Sequence, residues 1–271
     1  MRRHSHGPIA GKVAGLLIVS LAVAGCGNTS LSSGPKASGV LSSEPAASVG
    51  SADRGEANPF LDQSHQVLAT REVIANPTLE EVMRPASALT EMSVGRTDAP
   101  VTLIKYASMT CPFCRQFQME AFPELKRQYI DTGKLRFILR EFPIGFQSGL
   151  ATVALRCVPE AKYFQAYDRL MRTQNTWASQ EVRPEPIVKA LGDLGLTRDK
   201  LETCRTDKSL VSALNAVKER GRNLGIVGTP NFFVNGRLVR STLTLNDVKD
   251  LIDPIIAGSS TTTAQTTPQK T

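Results

Sequence analysis

Histidine is nearly missing from this 271-residue chain: there are three, His4, His6 and His65, and all precede the segment that reads as a folded domain. Their absence from that domain excludes Ser-His and Cys-His catalysis there, and any histidine-liganded metal. Cysteine is also scarce, five in all. A zinc site built on one Cys-x-x-Cys needs a second such pair or two histidines, and the other downstream cysteines, Cys157 and Cys204, stand alone. The apolar run Val13 to Ala24 is too short for a comfortable membrane span. The net charge of +7 falls to +4 without the leading Arg2, Arg3 and Lys12, which leaves no nucleic-acid footprint. No internal repeat is visible.

What is present is Cys111-Pro112-Phe113-Cys114, directly after the run Val101-Thr102-Leu103-Ile104-Lys105-Tyr106 and at the start of a helical pattern. Two thiols three positions apart at a helix start lie about one turn from each other, close enough to close a small disulfide ring. The unpaired N–H groups of the first turn favour a thiolate at Cys111, the expected nucleophile, with Cys114 as its resolving partner. Half of a zinc site looks the same, but the missing histidines favour a redox dithiol, which needs no cofactor.

The first residues bear on where such a dithiol works. A basic start and the apolar run read as a signal peptide over residues 1–25. The run ends Val23-Ala24-Gly25-Cys26, which resembles the lipobox of bacterial lipoproteins and implies cleavage before Cys26 and its lipidation. Ala22-Val23-Ala24 also satisfies the small-x-small rule of ordinary signal cleavage, so two processing sites compete. Arg2-Arg3 lacks the apolar residues that follow a twin-arginine signal, which points to general export.

Residues 26–58 are dominated by Ser, Ala, Gly and Pro and predict a flexible linker. Residues 59–93 are more ordered, with one short helix at Leu79 to Val82, and 258–271 form a polar tail that predicts disorder. The folded unit therefore spans 94–257. Within it Val101 to Tyr106 reads as a buried strand, Cys111 to Ile130 as a helix interrupted near Pro123, and Leu135 to Phe142 as a second strand. Three apolar helix faces follow: Phe164, Tyr167 and Met171; Ile187, Leu191 and Leu194; and Leu210, Leu214, Val217 and Leu224. Asn231-Phe232-Phe233-Val234 and Leu238-Val239 flank an Asn235-Gly236 hairpin turn, and a helix with Leu245, Val248, Leu251 and Ile252 closes the pattern.

Across 94–257 the sequence resembles the DsbA-like branch of the thioredoxin superfamily. The motifs that carry the resemblance are Cys111-Pro112-Phe113-Cys114 after a strand, Arg140-Glu141-Phe142-Pro143 ending the next, and Gly228-Thr229-Pro230-Asn231-Phe232-Phe233-Val234-Asn235-Gly236. It implies an α/β thioredoxin fold with an inserted α-helical domain at about 144–224, and a cis Pro230 facing the dithiol. It further implies a thiol:disulfide oxidoreductase acting on unfolded or reduced exported proteins. Thr229 and Pro230 would offer backbone to an extended substrate. A membrane partner would reset the dithiol, a DsbB-like oxidase or, for an isomerase, a DsbD-like reductase.

Departures from the family pattern leave the direction of electron flow open. Phe113 stands where DsbA carries His, and Thr229 looks more like the isomerases. Lys105 stands where relatives commonly place a buried acid. It is either an exposed strand lysine or a cation that lowers the Cys111 pKa, paired with Glu141. Pro112 modulates from between the cysteines. The N-terminal extension is too short and polar for a dimerisation domain, so the expectation is an oxidase-like monomer. Cys157 and Cys204, on helices of the insert, are expected to form a structural disulfide, with two buried thiols as the alternative. A copper-handling or chaperone-like module, with Cys111 and Cys114 as soft ligands, is the reading from a different class.

Overall fold

The structure, a computed structural model, describes residues 73–264. The central strands are β2, Val101–Ala107, and β3, Leu135–Glu141, paired in parallel with Val101 opposite Leu135 and Ala107 opposite Glu141. Both are buried almost throughout, which is why they read as continuous apolar runs rather than alternating ones. Strand β1, Met92–Val94, pairs antiparallel with β3, and β4, Asn231–Val234, pairs antiparallel with β2. The edge strand β5, Arg237–Val239, completes a sheet of order β1-β3-β2-β4-β5. Asn235 and Gly236 both have positive φ, 45° and 88°, as the two-residue turn between β4 and β5 requires.

Alternation along β2 separates two cores. Leu103 faces a large cluster with Phe117, Phe137, Tyr167 and Phe232, while Ile104 and Tyr106 face a smaller one with Val82, Ile138, Phe142, Leu224 and Phe233. The chain between β2 and β3 starts as α2, Pro112–Gln116, and passes through a π turn, Phe117–Ala121, into α3, Phe122–Leu125, and a second π turn, Lys126–Ile130. The interruption near Pro123 is thus a change of hydrogen-bond pitch, not a break. Proline has no N–H for the regular ladder, and Phe122 instead donates back to the Phe117 carbonyl.

Between β3 and β4 lies an all-helical insert: α4, Phe146–Cys157; α5, Tyr163–Arg172; α6, Gln174–Trp177; α7, Pro184–Leu191; α8, Arg198–Thr206; and α9, Lys208–Asn223. Cys157 at the end of α4 and Cys204 in α8 are joined by a disulfide, S–S 2.06 Å. Helix α9 returns to the sheet with Gly221 against Tyr106 and Phe142, where an added Cβ would lie 2.7 Å from the tyrosine ring.

Two boundaries differ from the sequence reading. The fold begins before residue 94: helix α1, Leu79–Met83, has a Thr78 capping box and inserts Val82, fully buried, into the smaller core. Arg140 ties this segment down through the Val82 carbonyl (2.6 Å), the Tyr106 hydroxyl and Glu91 (2.6 Å). The last helix, α10, runs Leu245–Ala264, past the predicted end at 257, so residues 258–264 are helical rather than tail. No helix among the described residues is long and apolar enough to cross a membrane. Cys26, the expected signal peptide and the linker lie outside the described residues.

Candidate active site

Cys111 is the N-cap of α2 and Pro112 occupies the first turn, where a residue without N–H is tolerated. The Cys111 sulfur accepts a hydrogen bond from the Cys114 backbone N–H at 3.3 Å, and its thiol donates to the Thr229 carbonyl at 3.2 Å. The Thr229–Pro230 peptide bond is cis and directly precedes β4. The hairpin strand and the helix start, more than a hundred residues apart in sequence, therefore meet at one sulfur.

The two thiols occupy different environments. Cys111 is half-buried and Cys114 fully buried, and neither is bonded to another sulfur. The Cys114 thiol hydrogen-bonded to Cys111 is the chief influence lowering the Cys111 pKa. Burial opposes it, and the Thr229 side chain and the N–H groups of Cys114 and Phe113 add to it; the net is about 6 against an ordinary 9.0. Burial, followed by the hydrogen bond to Cys111, pushes Cys114 well above the ordinary thiol range, with Lys105 pulling the other way. The opposite shifts favour a thiolate at Cys111 and a thiol at Cys114 near neutral pH.

Lys105 is fully buried on the inner face of β2, not exposed. Its Nζ donates to the Cys114 carbonyl at 3.1 Å and to the Tyr167 hydroxyl at 3.2 Å, and sits 4.4 Å from the centre of the Phe117 ring. Nor does it pair with Glu141. That carboxylate is buried against Arg156, Nε to Oε1 2.5 Å, and accepts from the Tyr163 hydroxyl at 2.9 Å. Glu141 is in register with Ala107, two residues beyond Lys105 on the neighbouring strand, whereas Leu139 stands opposite the lysine. The leading influences that lower the Cys111 pKa are local hydrogen bonds, and the lysine's charge pulls the Cys114 pKa down.

The insert holds the loop before the helix in ways the sequence did not reveal. Gln174 donates to the carbonyls of Met109 (2.8 Å) and Cys111 (3.1 Å), and the Ser148 hydroxyl accepts from the Met109 N–H at 3.0 Å. A glutamine and a serine in helices carry no pattern that would single them out. Phe113, in the first turn after Cys111, is 55% exposed, and Val227, two residues before Thr229, is 88% exposed. No cluster of three or more His, Cys, Asp or Glu fit for a metal occurs among the described residues.

A family model described as thioredoxin matches residues 87–254. The chain belongs to the thioredoxin family. Within that family its architecture is DsbA-like: the solved structure of alpha-DsbA1 from Wolbachia pipientis superposes with a TM-score of 0.59 at 25% identity, covering 69% of this chain and all of that one. Among thioredoxin-family relatives, a Rickettsia bellii protein provisionally named a protein-disulfide oxidoreductase is 30% identical over 175 residues, 62% of this chain and 66% of that protein. Disulfide bond formation protein D of Bacillus subtilis is 25% identical over 175 residues, 61% of this chain and 77% of its own length. The chain spans between about half and two thirds of the length of the Rickettsia relatives it matches.

Proposed function

We propose that this thioredoxin-family protein is a thiol:disulfide oxidoreductase that introduces disulfides into exported proteins through Cys111 and Cys114. The observation that carries the reading is the asymmetry of the pair: a Cys111 thiolate favoured down to about pH 6 beside a Cys114 held protonated. A stabilised thiolate stabilises the reduced protein relative to its disulfide, which makes the disulfide an oxidant and Cys111 a good leaving group. The names of the relatives point to the same chemistry.

In the oxidase direction a substrate thiolate attacks Cys111 of the Cys111–Cys114 disulfide, and the electron pair of the broken bond goes to Cys114, which takes a proton. A second substrate thiolate attacks the substrate sulfur of the mixed disulfide and expels Cys111 as a thiolate. The substrate has lost two electrons, the protein has gained two, and a membrane oxidase of DsbB type would restore the disulfide. The Thr229 backbone and the exposed Phe113 and Val227 suit an extended, partly apolar chain, so selection is for unfolded substrate rather than for a sequence.

Thr229 before the proline favours a second direction, isomerase or reductase, in which reduced Cys111 attacks a substrate disulfide. The reduction potential separates an oxidase, above roughly −200 mV, from a reductant, near roughly −270 mV, and reshuffling of a scrambled disulfide substrate by the reduced protein marks an isomerase. Cys111→Ser must abolish oxidation of a reduced peptide, and retained turnover sinks the enzymatic reading. Tight, stoichiometric Cu(I) retention without disulfide turnover would instead favour the copper-handling module.

Export, lipidation at Cys26 and a flexible tether over 26–58 complete the proposal, placing a monomer at the periplasmic side of a membrane. Mass spectrometry of the mature N-terminus tests the anchor: a diacylated Cys26 supports it, and an unmodified start at Gly25 removes it.

A further inference from the structure

Lys105 is a buried ammonium without a counter-ion. No carboxylate among the described residues pairs with it, and its partners are a carbonyl, a phenol and the face of an aromatic ring. The side chains opposite it in register, Leu139 on β3 and Phe232 on β4, cannot ionise. Tyr167 on α5 is kept neutral by burial, and Asp168 beside it is engaged by Arg172 and Gln118. The group near Lys105 that changes charge in the working range is therefore the Cys111 thiol at the start of α2, and its thiolate favours the charged form of the lysine.

We propose that Lys105 is the redox-linked proton site of the dithiol: it holds a proton while Cys111 is a thiolate and releases it when the Cys111–Cys114 disulfide forms. The inference rests on the oxidoreductase reading above. Closing the disulfide removes the one negative charge available to the buried ammonium, and desolvation then expels the proton. The reduced centre carries a Cys111 thiolate, a Cys114 thiol and a Lys105 ammonium. The oxidised centre carries a disulfide and a neutral amine, so oxidation releases two electrons and two protons, one from Cys114 and one from Lys105. Without the lysine, the same two electrons leave with one proton.

The difference is measurable above the Cys111 value of about 6 and below the reduced-form Lys105 value of about 8, over the interval in which the oxidised protein holds the lysine neutral. Two protons per two electrons change the redox equilibrium about a hundredfold per pH unit, or about 59 mV, and one proton changes it tenfold, or about 30 mV. The test is the reduction potential of the protein and of Lys105→Met against pH, read by equilibration with glutathione. The expected result is the steeper slope for wild type and the shallower for the variant. Equal slopes overturn the inference.

Since a core substitution can disturb folding, a second measurement uses the wild-type protein alone. The 13Cε resonance of Lys105 is followed against pH in the reduced and oxidised forms. A lower midpoint in the oxidised form supports the assignment, and one midpoint in both forms refutes it. Failure of Cys111 and Cys114 to exchange with glutathione at all would instead strike the oxidoreductase reading, so the two failures are distinct.

Discussion

The thiol of Cys111 lies 3.2 Å from the carbonyl oxygen of Thr229, a residue 118 positions later in the chain. That contact joins the start of the dithiol helix to the cis-proline loop. It puts the Cys111 sulfur beside the cis-proline backbone, so in the proposed oxidoreductase the same few atoms would set reactivity and recognition.

The Cys111 thiolate should form with a midpoint of about 6 in the reduced protein. Absorbance of the thiolate near 240 nm and the pH dependence of alkylation both read it, and Cys114 should stay unmodified in the same range because it is buried and protonated. A midpoint near the ordinary 9.0 would contradict the electrostatic account of the site.

Depression of an acidic group's pKa stabilises the folded protein above its unfolded value and loses that contribution as pH falls through the folded value. For Cys111 the window runs from about 9 down to about 6, and only the reduced form possesses the group. Urea titrations of the reduced protein should therefore show its stability rising with pH across this window. A stability independent of pH there would sink the prediction.

Thr229→Val removes the side-chain hydrogen bond that helps to lower the Cys111 pKa. The thiolate midpoint should rise and alkylation at pH 6 should slow, with the fold intact because valine keeps the size and branching of the half-buried threonine. An unchanged midpoint would assign the depression to the helix start alone.

Glu141→Gln leaves Arg156 buried without its counter-charge; the two side chains are only 4% and 9% exposed. The expected loss is about 3–5 kcal/mol of stability, with the Cys111 midpoint unmoved. A moved midpoint would restore the link between Glu141 and the dithiol that the geometry denies.

Replacing Cys157 and Cys204 together by Ser opens a loop with a sequence separation of 47. Chain entropy puts the loss at about 4 kcal/mol, and peptide oxidation should persist at temperatures where the variant is folded. Loss of activity in the folded variant would mean that the bridge also shapes the site.

The sequence by itself determined the features that depend on local spacing. Cys111 and Cys114 one helical turn apart, the Asn235-Gly236 turn with its two positive φ values, and the order of strands and helices follow from near neighbours in the chain. So does the helix at Leu79, which its capping box marks. What only the tertiary structure decided are facts about faces and distant partners. Lys105 could not be placed from a strand buried on both sides, because neither side of such a strand carries a polar signature. Glu141 found Arg156, fifteen residues on in the insert, rather than Lys105, because parallel register puts Leu139 opposite the lysine. Gln174 and Ser148 came to the dithiol loop only through helix packing. Charge placement in a folded core depends on which elements cover each face, and that information is spread over the whole chain.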